Sequence, residues 1–140
     1  MPRSKKNTYH PANKEVSVMA WIENVSGEVL TVRQVKDRKL WALPGGKVKP
    51  NESLKCALKR EVLEETGLVI SSAVPIEIYD RFAKNNVSIL FRARVRSLKR
   101  LIPKDPKEIS QITFRATVPS NATPTLKYFS RRMKIRREGS

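Results

Sequence analysis

Residues 45–68 read GGKVKPNESLKCALKREVLEETGL, and this stretch decides the fold of the chain. Its paired glycines predict a turn in which the main chain can approach a ligand closely. Asn51 or Ser53 suits the N-cap of a helix that runs from about residue 53 to residue 66. Gly67 lies where a left-handed C-terminal cap is expected. The stretch therefore predicts a glycine turn followed by one helix.

Three glutamates lie near the C-terminal end of this predicted helix. Glu61, Glu64 and Glu65 are spaced i, i+3 and i+4, so they share one helical face. A like-charged i,i+4 pair destabilises a helix by roughly 0.2–0.5 kcal/mol, and the helix dipole also disfavours anions at this end. The ordinary alternative is a solvated acidic face. In a chain with a net charge of +16, a concentrated acidic patch instead favours a site for a hard divalent cation.

The spacing across the whole stretch resembles one family motif, the Nudix box. Five residues separate Gly46 from Glu52, and seven separate Glu52 from the pair Arg60-Glu61. The aliphatic Val62 follows, and after one further residue comes the pair Glu64-Glu65. After one more residue the motif ends with Gly67 and the aliphatic Leu68. On these residues the chain is identified as a member of the Nudix hydrolase superfamily. It is most similar to the MutT-type nucleoside triphosphate pyrophosphohydrolases, which it also resembles in the run WALPGGK over residues 41–47. The resemblance implies an α/β fold, an α/β/α sandwich with a mixed β-sheet and the box helix on one face.

The resemblance also implies roles for the box residues. Glu61, Glu64 and Glu65 would bind Mg²⁺, with Mn²⁺ as a possible substitute, and the Gly45 carbonyl would be a further ligand. By similarity to the MutT branch, Glu61 is the candidate base. The remaining implied roles are structural and support the box: an ion pair between Glu52 and Arg60, and the glycines Gly46 and Gly67.

Three residues outside the helix are further candidates. Lys47 is assigned to substrate binding. Glu108 is either an additional metal ligand or base, or a surface carboxylate. Asn121 resembles in position the purine-binding asparagine of MutT-type enzymes, and the alternative is an asparagine in an N-cap or a turn.

Hydrophobic periodicity predicts the other elements. Strands are expected over 15–22 and 28–35, paired as a hairpin, and over 73–82, 87–95 and 108–114, with a last helix over 123–133. On the box helix, Leu54, Leu58 and Val62 predict a stripe that faces the core, with Ala57 beside the carboxylate face.

Composition limits the class of protein. At 140 residues, with 39% hydrophobic and 30% charged residues, the chain predicts one globular domain over 15–133, a basic flexible arm over 1–14 and a basic tail over 134–140. No apolar run is long enough for a membrane span or a secretory signal, and Cys56 is the single cysteine. We therefore expect a cytoplasmic protein without membrane contact.

These observations leave three hypotheses for function. The leading one is a Mg²⁺-dependent hydrolase of purine nucleoside triphosphates, including oxidised ones. The second is a Nudix hydrolase of ADP-ribose, a dinucleoside polyphosphate or an RNA 5′ end, and the basic surface supports the RNA version. The third is a non-catalytic Nudix module that binds a nucleotide or RNA. We expect a monomer or a homodimer.

Overall fold

The computed structural model describes residues 13–36, 39–104 and 106–135. Residues 1–12 of the predicted arm and residues 136–140 of the predicted tail lie outside the described residues. The elements of the described chain, in order, are β1 (Glu15–Trp21), β2 (Val29–Gln34), β3 (Trp41–Ala42), β4 (Gly45–Lys47), α1 (Leu54–Thr66), β5 (Ile70–Arg81), a 3₁₀ turn (Phe82–Lys84), β6 (Asn86–Val95), β7 (Ile109–Arg115) and α2 (Pro124–Arg132). Neither of these helices has the length and apolar content needed to cross a bilayer.

The strands form two sheets. The larger sheet has the order β4-β1-β6-β5, with β1 and β6 parallel and the other pairs antiparallel, so it is mixed. The smaller sheet has the order β3-β2-β7 and is antiparallel. Side chains of β1 alternate between two cores: Val18 and Ala20 lie in one, and Trp21 lies in the other.

The first core packs α1 against the larger sheet. Leu58 and Val62 are fully buried there, as predicted, but Leu54 is 37% exposed and Ala57 is fully buried instead. The predicted stripe was wrong at these two positions. Residues spaced by four drift about 40° around a helix at each step, so Leu54 lies about 80° from Val62 and leaves the buried sector. Ala57 enters that sector at the sheet side of the helix.

The second core packs α2 against the opposite face. Trp21, Leu90, Leu126 and Phe129 are buried together in it. Thr123 is the N-cap of α2, because its side-chain hydroxyl accepts a hydrogen bond from the Leu126 N–H at 3.2 Å. Helices on both faces of a mixed sheet confirm the predicted α/β/α sandwich.

Two local predictions were wrong. The predicted strands 15–22 and 28–35 meet at a tight turn, where the Asn24 N–H donates to the Glu28 carbonyl at 3.0 Å, but beyond it β1 and β2 enter different sheets. Residues 29–32 of β2 are buried on both faces, so the strand lies between layers and not beside β1. The predicted glycine turn is instead strand β4, and the chain bends before it, at Pro44.

Candidate active site

Two glycines bring β4 into close contact with the C-terminal half of α1. The Gly45 N–H donates to Glu65 Oε1 at 2.9 Å. A Cβ at Gly46 would meet the Glu61 carboxylate, with Cδ and Oε2 both at 2.6 Å. A Cβ at Gly45 would collide with the Val18 carbonyl oxygen, and φ there is +154°. The absence of side chains at both positions is therefore what allows the two glutamates to lie against the strand.

Glu61 and Glu65 form a partly buried pair of carboxyl groups that share a hydrogen bond. The pKa of Glu65 is raised to about 9, mainly by burial. The hydrogen bond from the Gly45 N–H lowers this pKa, whereas the negative charges of Glu61 and Glu108 raise it further. Burial likewise raises the pKa of Glu61, against the lowering effect of Arg60. Without a cation, the pair therefore retains a proton that a bound metal ion would replace.

Arg60 connects the loop before α1 to the acidic cluster. Its guanidinium binds Glu52 in a bidentate manner, with Nε to Oε2 at 2.7 Å and Nη2 to Oε1 at 2.9 Å, so the predicted ion pair is present. The same guanidinium donates through Nη1 to Glu61 Oε1 at 2.7 Å and through Nη2 to the Lys47 carbonyl at 3.2 Å. Hydrogen bonds from Arg60 lower the pKa of Glu52 to about 2. Arg60 thus fixes the orientation of Glu61.

The C-terminal end of α1 is covered by the segment that follows β6. The Lys104 N–H donates to the Glu64 carbonyl at 2.8 Å, and the Ile102 N–H donates to the Thr66 carbonyl at 3.0 Å. Gly67 has the left-handed φ of 77° expected of a C-terminal cap, and a Cβ there would meet the Ile102 carbonyl oxygen at 2.7 Å. The Glu64 side chain is 42% exposed, and its Oε1 makes a long contact of 3.5 Å with Arg60 Nη1. Glu64 therefore lies at the rim of the Glu61–Glu65 pair.

Glu108 lies just before β7, and its main-chain carbonyl accepts a hydrogen bond from the Val35 N–H. Its side chain is exposed, and its charge adds to the raised pKa of both Glu61 and Glu65, so Glu108 lies near enough to the cluster to act on it electrostatically.

The donor atoms of this cluster suit a hard cation. Within the described chain, no three His, Cys, Asp or Glu side chains converge closely enough to hold a metal ion by themselves. Glu61 and Glu65 do converge, and their carboxylate oxygens are the ligands that Mg²⁺ and Mn²⁺ prefer. Because the pKa of both carboxyl groups is raised, positive charge between them would stabilise the pair. The residues therefore fit a divalent cation that also binds water or substrate oxygens.

An open groove of about 650 Å³ begins at Glu65. Gly45, Gly46, Lys47 and Glu65 line the groove at the pair, and Lys47 Nζ also contacts Glu15 Oε2 at 2.9 Å. The remaining lining comes from both sheets, the end of β5 with its 3₁₀ turn, and the start of α2: Ser17, Met19, Val32, Gln34, Leu40, Ala42, Leu43, Arg81, Lys84, Thr123, Pro124 and Thr125. A volume of this size lies in the range of small-molecule binding sites, about 300–1,000 Å³.

Comparison with known proteins gives the family. The sequence model of the NUDIX domain matches residues 13–133. This chain belongs to the NUDIX family. Its Nudix fold is also that of a MutT Nudix hydrolase from Burkholderia pseudomallei, with a TM-score of 0.73, 22% identity and coverage of 83% of this chain and 95% of that one.

Curated relatives match over shorter segments. A MutT-like protein of Streptomyces ambofaciens is 30% identical over 84 residues, which are 60% of this chain and 54% of the relative. The 8-oxo-dGTP diphosphatase of Buchnera aphidicola from Acyrthosiphon pisum is 44% identical over 43 residues, which are 31% of this chain and 35% of the relative. The chain thus spans about a third to a half of the length of these curated relatives.

Most, but not all, of the candidate residues predicted from sequence lie close together in the structure. The structure brings together Gly45, Gly46, Lys47, Glu52, Arg60, Glu61 and Glu65, with Glu64 and Glu108 at the periphery. Asn121 is exposed and does not line the groove, and its main-chain carbonyl accepts a hydrogen bond from the Trp41 N–H at 2.9 Å. Asn121 lies in a turn, and the N-cap alternative was wrong because Thr123 has that role.

Sequence reasoning missed six polar groove residues, which are Ser17, Gln34, Arg81, Lys84, Thr123 and Thr125. Gln34 had a detectable signal, because it follows the buried Leu30 and Val32 at a spacing of two and so shares their face of β2. Arg81 and Thr125 had no such signal, because their approach, at 3.5 Å between Nη1 and Oγ1, depends on how α2 packs against β5.

Proposed function

We propose that this Nudix protein is a Mg²⁺-dependent hydrolase that cleaves purine nucleoside triphosphates, including oxidised ones, to the monophosphate and pyrophosphate. The Glu61–Glu65 pair carries the proposal, because Glu65 lines a groove large enough for a nucleotide and Glu61 shares a hydrogen bond with Glu65. A helix that only stabilises the fold gains nothing from two neighbouring carboxyl groups whose ionised forms are disfavoured by burial. The names of the relatives agree with this substrate class.

Each residue of the site has a defined task in this proposal. Glu61, Glu64 and Glu65 would hold Mg²⁺, assisted by the Gly45 carbonyl, and Mn²⁺ suits the same oxygen donors. When bound, the cation supplies neutralisation of phosphate charge and activation of water. Lys47 contributes a positive charge at the same end of the groove, where it attracts the triphosphate.

The protein positions these groups before substrate arrives. The Gly45 N–H fixes Glu65, and Arg60 fixes Glu61, so neither carboxylate has to reorganise. We assign Glu61 to orient and deprotonate the attacking water, and Glu108 is the second candidate for this base because its charge acts on Glu61. The apolar part of the groove, which includes Val32, Leu40 and Leu43, excludes water around the nucleoside.

One observation favours a second substrate. The net charge of +16 attracts polyanions, so an RNA 5′ end with a triphosphate is the strongest competing substrate. The same catalytic groups would act on it, and only the substrate differs. A module that binds without catalysis has no need of the Glu61–Glu65 pair.

The test is release of pyrophosphate and nucleoside monophosphate from a substrate panel with Mg²⁺. The panel holds the common and 8-oxo-purine triphosphates, ADP-ribose, a diadenosine polyphosphate and 5′-triphosphate RNA. We expect wild type to turn over a purine triphosphate best, and Glu64→Gln and Glu65→Gln to lose about 100-fold or more in kcat. Glu77→Gln is the matched control, because Glu77 pairs with Arg132 away from the site. Equal activity of Glu65→Gln and Glu77→Gln would refute the proposed role of the pair.

A further inference from the structure

The side chain of Gln34 lines the groove and is not used to hold the fold together. Within the part of the chain that the structure describes, Gln34 Oε1 is buried and has no hydrogen-bond partner. The main chain of Gln34 is satisfied separately, because its N–H donates to the Leu40 carbonyl at 2.9 Å. Buried polar atoms in folded proteins nearly always have a partner, so this carboxamide requires an explanation.

The surroundings of Gln34 differ from those of the acidic pair. Val32 precedes it on the same face of β2, and Leu40, Ala42 and Leu43 line the groove with it. These side chains are apolar and suit a flat heterocyclic ring. A phosphate group is bound most strongly by cationic donors, and Gln34 carries no charge. The apolar neighbours and the unpartnered acceptor atom of Gln34 therefore suit the base of a nucleotide better than its phosphates.

We propose that the Gln34 carboxamide hydrogen-bonds the edge of the substrate's purine base and determines which bases the groove accepts. This inference rests on the proposed function. A carboxamide carries a donor beside an acceptor, so it pairs with an edge that offers the same two groups, as adenine does through N6 and N7. Gln34 takes this role in place of Asn121, which lies outside the groove lining.

The test compares kcat and KM of wild type, Gln34→Met, Gln111→Met and Asn121→Ala across GTP, ATP, 8-oxo-dGTP, CTP and UTP with Mg²⁺. Methionine keeps the length of glutamine but removes its hydrogen bonds. Gln111 is the matched control, because its exposed carboxamide accepts from Arg33 Nη1 at 3.2 Å and lies outside the groove lining. Thermal unfolding of each variant checks that the fold is retained.

We expect Gln34→Met to raise KM for the preferred purine by about ten-fold and to reduce the differences between bases, while kcat changes by less than about three-fold. Gln111→Met and Asn121→Ala should leave the order of bases unchanged. An equal loss of kcat for every base would place Gln34 at the phosphate end and overturn the inference. Unchanged kinetics in Gln34→Met, or a base-selective loss in Asn121→Ala instead, would also overturn it.

A failure of the proposed function is distinguishable from a failure of this inference. If wild type hydrolyses none of the triphosphates, the proposed function fails, and calorimetric binding of GMP, AMP and CMP then tests Gln34 directly. Weaker purine binding in Gln34→Met, with unchanged binding in Gln111→Met, would support the role of Gln34. Equal binding by wild type and Gln34→Met, or no binding of any monophosphate, would refute it.

Discussion

Replacement of Gly46 by alanine tests whether close contact between β4 and α1 creates the catalytic arrangement. The φ of Gly46 is not positive, so alanine meets no backbone strain there. Its Cβ would lie 2.6 Å from Cδ and Oε2 of Glu61, whereas ordinary contact begins at 3.4 Å. The carboxylate must therefore retreat by about 0.8 Å. Arg60 Nη1, at 2.7 Å, and the hydrogen bond to Glu65 both resist that movement.

A displacement of about 1 Å at a reacting centre lowers activity by about 100-fold, so we expect a loss of this order in kcat/KM for Gly46→Ala. Overpacking of this kind costs roughly 1–3 kcal/mol of stability, which urea unfolding measures. The control is Gly27→Ala, where φ is +79° but no atom lies within 4 Å of the new Cβ. It should lose stability from backbone strain and retain full activity. Activity of Gly46→Ala within about three-fold of wild type would refute the argument from displacement.

Three further predictions concern the supports of the site. Arg60→Lys loses the bidentate contact with Glu52, so we expect the unfolding free energy to fall by roughly 1–3 kcal/mol. Because Glu61 is then no longer fixed, kcat/KM should fall at least about ten-fold, and a stable, fully active variant would contradict this. The pKa of Glu52 is lowered from 4.5 to about 2, so the stabilisation by the ionised Glu52 is present above pH 4.5 and is lost as the pH falls towards 2. Urea unfolding between pH 7 and pH 2 should show this contribution to the pH dependence in wild type and not in Glu52→Gln. Leu58→Ala should lower the unfolding free energy by about 2–5 kcal/mol and Leu54→Ala by less than about 1 kcal/mol, since only Leu58 is buried. Equal losses in the two variants would mean that another face of α1 packs against the sheet.

Local sequence patterns were sufficient for the box helix. The bounds of α1, its N-cap Ser53 and its left-handed cap Gly67 follow from periodicity and capping preferences, which involve neighbouring residues only. The approach of Glu61 and Glu65 also follows from helical spacing, because residues four apart share a face.

Features that depend on distant parts of the chain could not be predicted. The separation of β1 and β2 into two sheets results from their pairing with β6 and β7, which lie more than fifty residues further along the chain. The turn that contains Asn121, which lies outside the groove lining, is tied by the bond from the Trp41 N–H to the Asn121 carbonyl to a strand far earlier in the chain. The position of Gln34 in the groove likewise requires both sheets to be in place, although its face of β2 was predictable from alternation.

The central claim is that the carboxylates of α1 support metal-dependent cleavage of a nucleoside triphosphate. Phosphorus NMR of a purine triphosphate incubated with the protein tests it most directly, because the method identifies every phosphorus-containing product. With Mg²⁺ present, we predict signals of pyrophosphate and nucleoside monophosphate, and with a chelator in place of Mg²⁺ no reaction. Formation of nucleoside diphosphate and inorganic phosphate, or equal turnover with the chelator, would contradict the account.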